Sequence, residues 1–305
     1  MPCTCHNHLA VNVSRVNRID PTRTTPIVSR WVKENKVRWN ALKLAIRKKI
    51  VDEDCFGLKP VEHDILKMTA NVRDYAFESN PKKIESFMDW LKRMEERGIL
   101  TTSKGHPVTK AGQGLWSETY VDSAFREGIR RAEQELKPYP EQSKFLQAGM
   151  GGPMHADALG LVYSRNFSSL KSGLAQYENT LSQELALGLA EGRNPREMAR
   201  SLEEKTDVSR DKCLVTARTE TIRAFHVATI NTYRQAGVEG VKMQAEWLAT
   251  DDDRVCPKCE ELQGKVFTLD EIEPMIPAHP NCRCTSIPYF AEGEEATSDE
   301  SNMGE

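Results

Sequence analysis

The sequence predicts a mainly α protein, with a helical N-terminal region, a second helical array and then a small α+β unit carrying a short β-hairpin. Three observations predict it. Apolar residues recur every three or four positions through most of the chain up to Gly237. From Val241 the spacing changes to strict alternation. Four of the eight cysteines crowd between Cys256 and Cys284.

Residues 1–25 are polar and aperiodic and read as a flexible arm. Trp31, Trp39, Leu42, Ile46 and Ile50 then form one stripe of a helix running from Pro26 to Val51. Its other faces carry Arg30, Lys33, Lys36, Arg38, Lys43, Arg47, Lys48 and Lys49 against Glu34, and Asp52, Glu53 and Asp54 close it. Two readings stay open for this basic face: a solvated surface, or an electrostatic contact with DNA or an acidic protein surface. Asn80, Pro81 and Gly98 bracket a second helix with Ile84, Phe87, Met88, Leu91 and Met94 on its buried side. After a loop over 101–114, Trp116, Tyr120, Ala124, Ile129, Ala132 and Leu136 mark a third, ended by Lys137-Pro138. The helical N-terminal domain is therefore 26–137.

Pro138, Pro140, Gly149, Gly151, Gly152 and Pro153 suggest a linker or hinge over 138–167. The second domain, 168–290, starts with helices over 168–237. Leu170, Leu174, Tyr177, Leu181, Leu185 and Leu189 run to Gly192. Asn194-Pro195 opens a short helix, and a long one follows from about Ser209 to Ala236. Within 241–288, Val241, Met243, Ala245, Trp247 and Ala249 alternate as a half-buried strand, and a second short strand is expected around Lys265–Leu269.

Composition narrows the class of function. The 305 residues hold 45 acids and 42 bases, a net charge of −3, which excludes a globally basic DNA coat. Six of the acids and no base lie in 291–305, read as an acidic disordered tail, so the remainder carries +3. No run approaches the roughly 18 apolar residues of a membrane span, and the opening residues lack a secretory pattern. Synthesis in a reducing cytoplasm is expected, where clustered cysteines are thiols or metal ligands.

Cys256-Pro257-Lys258-Cys259 and His279-Pro280-Asn281-Cys282-Arg283-Cys284 carry the strongest chemical signal. A C-x-x-C turn lets two thiolates converge on one ion, and the intervening nineteen residues can fold back as a hairpin. Sulfur and imidazole donors in a tetrahedral set favour zinc, so 241–288 reads as a zinc-binding unit with a structural site. Five donors compete for four positions, and a closed site would use Cys256, Cys259 and two of His279, Cys282 and Cys284. If Cys282–Cys284 is extended, its two thiols point the same way. Cys3, Cys5, His6 and His8 form a weaker set in the arm.

The sequence has no H-x-E, H-E-x-x-H, phosphate-loop or G-x-S-x-G motif, and it is read as non-enzymatic. The rivals are a zinc-dependent nuclease, which would need an open metal position and a base, and a DNA-binding adaptor. Arg218 and Glu220, two apart in the long helix, do not face each other, and each is expected to pair with another element.

Gly192 to Glu197, Ala217-Arg218-Thr219-Glu220-Thr221, Ala228, Tyr233 and Gly237-Val238, Ala245-Glu246-Trp247, Asp253 to Cys259 and Ile276 to Cys284, in this order, resemble the phage head morphogenesis family. These are minor head proteins similar to phage Mu protein F and phage SPP1 protein seven. The resemblance spans about residues 160–288. It implies a low-copy virion component inside the head, assembled in the host cytoplasm. Such a protein acts with the portal and with major capsid or scaffolding protein, and works beside packaged double-stranded DNA. It makes the five Cys/His residues the family's metal set, and Arg218 and Glu220 its helix signature, without an established role. Some relatives carry ADP-ribosyltransferase modules, and none is expected in the short stretch after Cys284.

Overall fold

The computed structural model describes residues 19–60, 75–77, 81–139, 153–236 and 243–290. Its helices are α1 (Thr25–Arg47, continued by a wider turn over Lys48–Asp52), α2 (Pro81–Gly98), α3 (Glu118–Leu136), α4 (Pro153–Glu191) and α5 (Pro195–Ala236), with short α6 (Pro257–Leu262) and α7 (Leu269–Ile272). Its strands are β1 (Lys59–Pro60), β2 (Tyr75–Ala76), β3 (Met243–Leu248), β4 (Val266–Thr268) and β5 (Thr285–Phe290).

The stripe expected on α1 is buried throughout, from Trp31 to Ile50. The turn between α4 and α5 follows directly from its residues. Gly192 takes φ of +67°, the left-handed conformation that glycine adopts without a Cβ penalty. The Arg193 amide then donates to the Gly188 carbonyl (3.0 Å) and the Gly192 amide to Leu189 (3.3 Å), which satisfies two carbonyls at the end of α4. Two residues on, Asn194 Oδ1 accepts from the Arg196 amide (2.8 Å), and Pro195 begins α5 where a missing N–H costs nothing.

Several expectations are corrected. Residues 1–18 of the expected arm lie outside the described residues, but 19–25 are fixed: Pro21, Thr22 and Thr24 are buried, and Asp20 Oδ2 accepts from the Thr25 amide (3.3 Å). The linker does not extend to 167, because α4 already begins at Pro153 and buries His155, Ala158, Val162 and Asn166. Small and polar residues such as Gly160 and Ser164 weaken the periodic signal there. The short and long helices expected after Asn194 are one 42-residue helix. Its polar middle is held by Thr206, whose Oγ1 meets the Tyr177 hydroxyl (2.8 Å), and by ion pairs from α1 to Glu203 and Asp207.

Nor do 26–137 and 168–290 have separate cores. One cluster joins Trp39, Leu42 and Ile46 of α1 and Phe87 and Leu91 of α2 to Tyr177 and Leu181 of α4 and Leu202 of α5. A second joins Trp31, Trp116 and Phe125 to Val162 and Ala224. A third joins the ends of α3 and α5 to Trp247, Ile272 and Ile276 of the C-terminal unit. Helix α5 contributes to all three.

Close helix packing explains this. From Thr221 to Tyr233 almost every residue of α5 is buried, many of them Ala or Thr, so neighbours pack on several sides. At α3 the approach is closest. A Cβ on Gly128 would lie 2.2 Å from the Phe225 carbonyl oxygen and 2.9 Å from the Ala228 Cβ. Beside it, buried Glu135 accepts from Arg131 Nε (2.6 Å) on its own helix and from the Tyr233 hydroxyl of α5. The sheet has the order β4-β3-β5, all antiparallel, so the expected hairpin gains a strand that sequence reasoning did not find. Pro288 hides it by breaking the strand pattern, and β5 lies at the sheet edge, where proline is tolerated.

In a helix interior alanine is favoured over glycine by about 1 kcal/mol, but a contact of 2.2 Å to backbone must force α3 and α5 apart. Gly128→Ala should therefore lower the free energy of unfolding in urea by about 2 kcal/mol or more. Gly160→Ala, with nothing within 4 Å of the added Cβ, should raise it by about 0.5–1 kcal/mol.

Candidate metal centre

Two turns of similar build bring the donors together. In the first, Cys256 precedes α6 with extended backbone (φ −87°, ψ 154°), and its Sγ accepts from the Cys259 amide at 3.4 Å. Pro257 supplies the first residue of α6. In the second, the Cys282 amide returns to the His279 carbonyl (3.1 Å), and Asn281 takes φ of +63°, which asparagine tolerates better than most residues. The Asn281 amide also donates to Thr219 Oγ1 of α5 (3.2 Å), docking this turn on the helix.

All five predicted donors converge. The ligand atoms of Cys256, Cys259 and His279 lie within 4.8 Å of one another, as do those of Cys259, Cys282 and Cys284. Cys259 belongs to both groups. His279 Nε2 is 3.2 Å from both Cys256 Sγ and Cys259 Sγ, while its Nδ1 is 2.8 Å from the Pro280 carbonyl. A hydrogen bond of that kind fixes the ring and turns Nε2 toward the thiols. Cys282 and Cys284 are both buried, while Arg283 between them turns away to Asp252, as alternation in an extended segment requires.

The cluster separates its thiols electrically. Hydrogen bonding from Cys284 brings the Cys282 thiol down to about 5 and drives Cys284 the other way. The Cys259 amide lowers Cys256. Burial, with the Cys282 charge beside it, pushes Cys259 up to about 12. Burial opposes protonation of His279, but the Pro280 carbonyl and the nearby thiolates outweigh it and raise its basicity. Sulfur and imidazole donors at these separations fit a borderline or soft metal ion.

Asp252 clasps the two turns. Its carboxylate receives Arg283 Nη2 (2.7 Å) and Nη1 (2.5 Å), and also Arg254 Nη2 (2.9 Å). Arg283 foremost among these holds the carboxyl far below its ordinary value. Sequence reasoning assigned no role to Asp252, Arg254, Arg283 or Thr219. Arg283 does lie between Cys282 and Cys284, and Arg254 two residues before Cys256, the one signal that could have found them.

The other predicted residues fare differently. Of the basic residues on the first helix, half are engaged within the molecule. Arg38 pairs with Glu34 (2.6 Å), donates to the Gly98 carbonyl (2.9 Å) and lies over Trp116. Lys43 reaches Asp207 (2.9 Å), Arg47 reaches Glu203 (3.2 Å) and Lys49 reaches Glu53 (2.6 Å). Arg30, Lys33, Lys36 and Lys48 are exposed and make no such pair among the described residues. Glu220 pairs with Arg223 of its own helix (3.5 Å), and the charge of Arg165 on α4 also acts on it. Arg218 has no ion pair or hydrogen bond among the described residues, which corrects the expectation that it has a partner. The set of Cys3, Cys5, His6 and His8 lies outside the described residues, as does the expected acidic tail.

The fold and site together define a helical protein whose longest helix carries a small α+β unit with a Cys/His cluster able to hold a metal ion. Residues 179–287 match the family model described as Phage Mu protein F like protein. Over 130 residues the chain is 30% identical to Minor head protein GP7 of Bacillus phage SPP1, covering 38% of this chain and 42% of that protein. Over 208 residues it is 32% identical to the NAD(+)-arginine ADP-ribosyltransferase EFV of Enterococcus faecalis, covering 62% of this chain and 39% of that protein. The chain thus spans well under half the length of the curated relatives it matches. No solved structure matches it. Residues 179–287 are thus similar to the phage minor head family. Among the described residues no helix is long and apolar enough to cross a membrane.

His226 ties α5 to this unit. Its Nε2 meets the Ile272 carbonyl at 3.1 Å, and its Nδ1 is buried without a partner, so the Nε2–H tautomer donates that bond. Burial lowers its pKa from the ordinary 6.5 to about 4, with Arg223 and Arg234 adding to the effect against the Ile272 carbonyl. An unfolded chain takes up this proton below pH 6.5 and the folded one refuses it until about 4. The stability is therefore complete above pH 6.5 and declines as pH falls toward 4, by about 3 kcal/mol in total. Urea unfolding across that range should show a shallower decline in His226→Gln by that amount.

Proposed function

We propose that this chain is a structural component of the phage head, with a zinc ion locking the C-terminal unit. The observation that carries the reading is the convergence of five Cys/His donors within the stretch that matches the minor head family. Zinc is the metal these donors suit best, and a closed tetrahedral set serves stability rather than catalysis. Four of the five donors would complete the ion's shell, with Cys259 common to any arrangement. The site's work is then to hold the turn at Cys256, the turn at His279 and strands β3 and β5 as one unit against α5. The ADP-ribosyltransferase name belongs to a protein of which the match covers 39%, and the reading of this chain remains non-catalytic.

In the virion such a component acts with the portal and with the major capsid or scaffolding protein in head assembly, genome packaging or ejection. Arg30, Lys33, Lys36 and Lys48 offer the remaining basic face for the portal, the capsid interior or packaged DNA. Their partnered neighbours on α1 serve the fold instead.

Purified protein should contain about one zinc per chain by elemental analysis. Cys259→Ser should abolish it and lower stability by at least about 4 kcal/mol. Serine at the donor outside the shell should leave the zinc in place. Wild-type stability in all five serine variants would remove the structural role. Tagged chain expressed beside the portal should co-purify with portal rings, and mass spectrometry should find it in procapsids and virions. Absence from both particles would overturn the virion reading.

A further inference from the structure

Next to the metal centre, on its α1 side, lies a cavity of about 240 Å³ into which Arg218, Arg254 and Arg283 all face. Thr22, Thr25 and Ser29 line its opposite wall, with Asp20 at the same side. Pockets that enclose drug-sized molecules run to about 300–1,000 Å³, so this one suits a smaller group.

The charges in it are unbalanced in one place. Arg254 and Arg283 share Asp252, which accepts from both. Arg218 has neither a carboxylate nor a carbonyl among the described residues. It is half-buried, and burial together with the Arg283 and Arg254 charges holds its guanidinium below the ordinary value. Asp20 makes no ion pair with Arg218 among the described residues; its Oδ1 accepts from Thr22 Oγ1 (3.2 Å) and its Oδ2 from the Thr25 amide (3.3 Å). A half-buried arginine beside two others, without a counter-ion, is an unfavourable arrangement unless an anion completes it.

We propose that Arg218, with Arg254 and Arg283, forms a binding site for a phosphate group, either free phosphate or a phosphate ester. The planar guanidinium presents paired N–H donors that match two oxygens of a tetrahedral oxyanion. Two of the three arginines sit on the turns that carry Cys256 and Cys282, so the site is complete only when the C-terminal unit is folded onto α5. This gives the helix signature a division of labour: Arg218 faces the anion, Thr219 holds the knuckle through Asn281, and Glu220 turns to Arg223. The inference rests on this geometry and on neither the identity of the metal nor a role in the head.

The test titrates the full chain with inorganic phosphate at constant ionic strength, by calorimetry and thermal shift. Saturable one-to-one binding is expected, weakened at least about tenfold in Arg218→Gln and less in Arg218→Lys. Lys104→Gln, in the exposed loop between α2 and α3, should bind as wild type does. Without phosphate, Arg218→Gln should melt no lower than wild type, since it removes repulsion, and its zinc content should be unchanged. Displacement by a 5′-phosphorylated mononucleotide but not by unphosphorylated duplex would identify a free or terminal phosphate. Displacement by the duplex as well would identify the DNA backbone. The proposal falls if wild type shows no saturable response, or if Arg218→Gln binds phosphate unchanged. It falls equally if Arg218→Gln melts well below wild type while Arg218→Lys, still folded, binds phosphate no more tightly than Arg218→Gln.

Discussion

The contact between α3 and α5 at Gly128 governs the rest of the structure. Because no side chain intervenes there, the Phe225 carbonyl can approach the α3 backbone directly, and the helices meet through Ala and Thr. That closeness brings Tyr233 to Glu135 and lets α5 be buried on several sides at once. A helix so enclosed can serve as a common wall for three clusters of core residues, one of them belonging to the C-terminal unit. The C-terminal unit docks on that wall: Thr219 meets Asn281, and His226 meets Ile272, both from α5.

The site is accordingly a product of two scales of order. Local turns set the donor spacing, through Pro257 at the start of α6 and the left-handed Asn281. The clasp of Asp252 with Arg283 then joins the turns across 31 residues of sequence. Consecutive residues of a helix point about 100° apart, so Arg218, Thr219 and Glu220 reach three different surroundings from a single turn. A motif that looks like one functional unit in sequence is here three separate contacts.

Much of this was legible in advance. The stripes of α1, α2 and α3, the turn at Gly192 and the grouping of five Cys/His residues could be read because each rests on local rules of spacing, capping or side-chain chemistry. What escaped reading depends on partners distant in sequence. The start of α4 at Pro153 is fixed by His155, Ala158 and Val162 packing on α3 and its neighbours, while its own sequence is rich in small residues. The unbroken α5 relies on Thr206 and Tyr177 across a helix pair. Strand β5 exists because β3 has a free edge to fill, and the partners of Lys43 and Arg47 on α1 are Asp207 and Glu203, more than 150 positions away.

The length of α5 has a mechanical side. Its 42 residues make a rod about 63 Å long, gripped near Met198 by one group of side chains and near Tyr233 by another. A tilt of one degree about Met198 would carry Tyr233 through roughly 1 Å. A distance of that size is comparable to the difference between a formed and a broken hydrogen bond. Small rotations at the α1–α2 end would thus be magnified at the cysteine-bearing end, making the helix a lever as well as a wall.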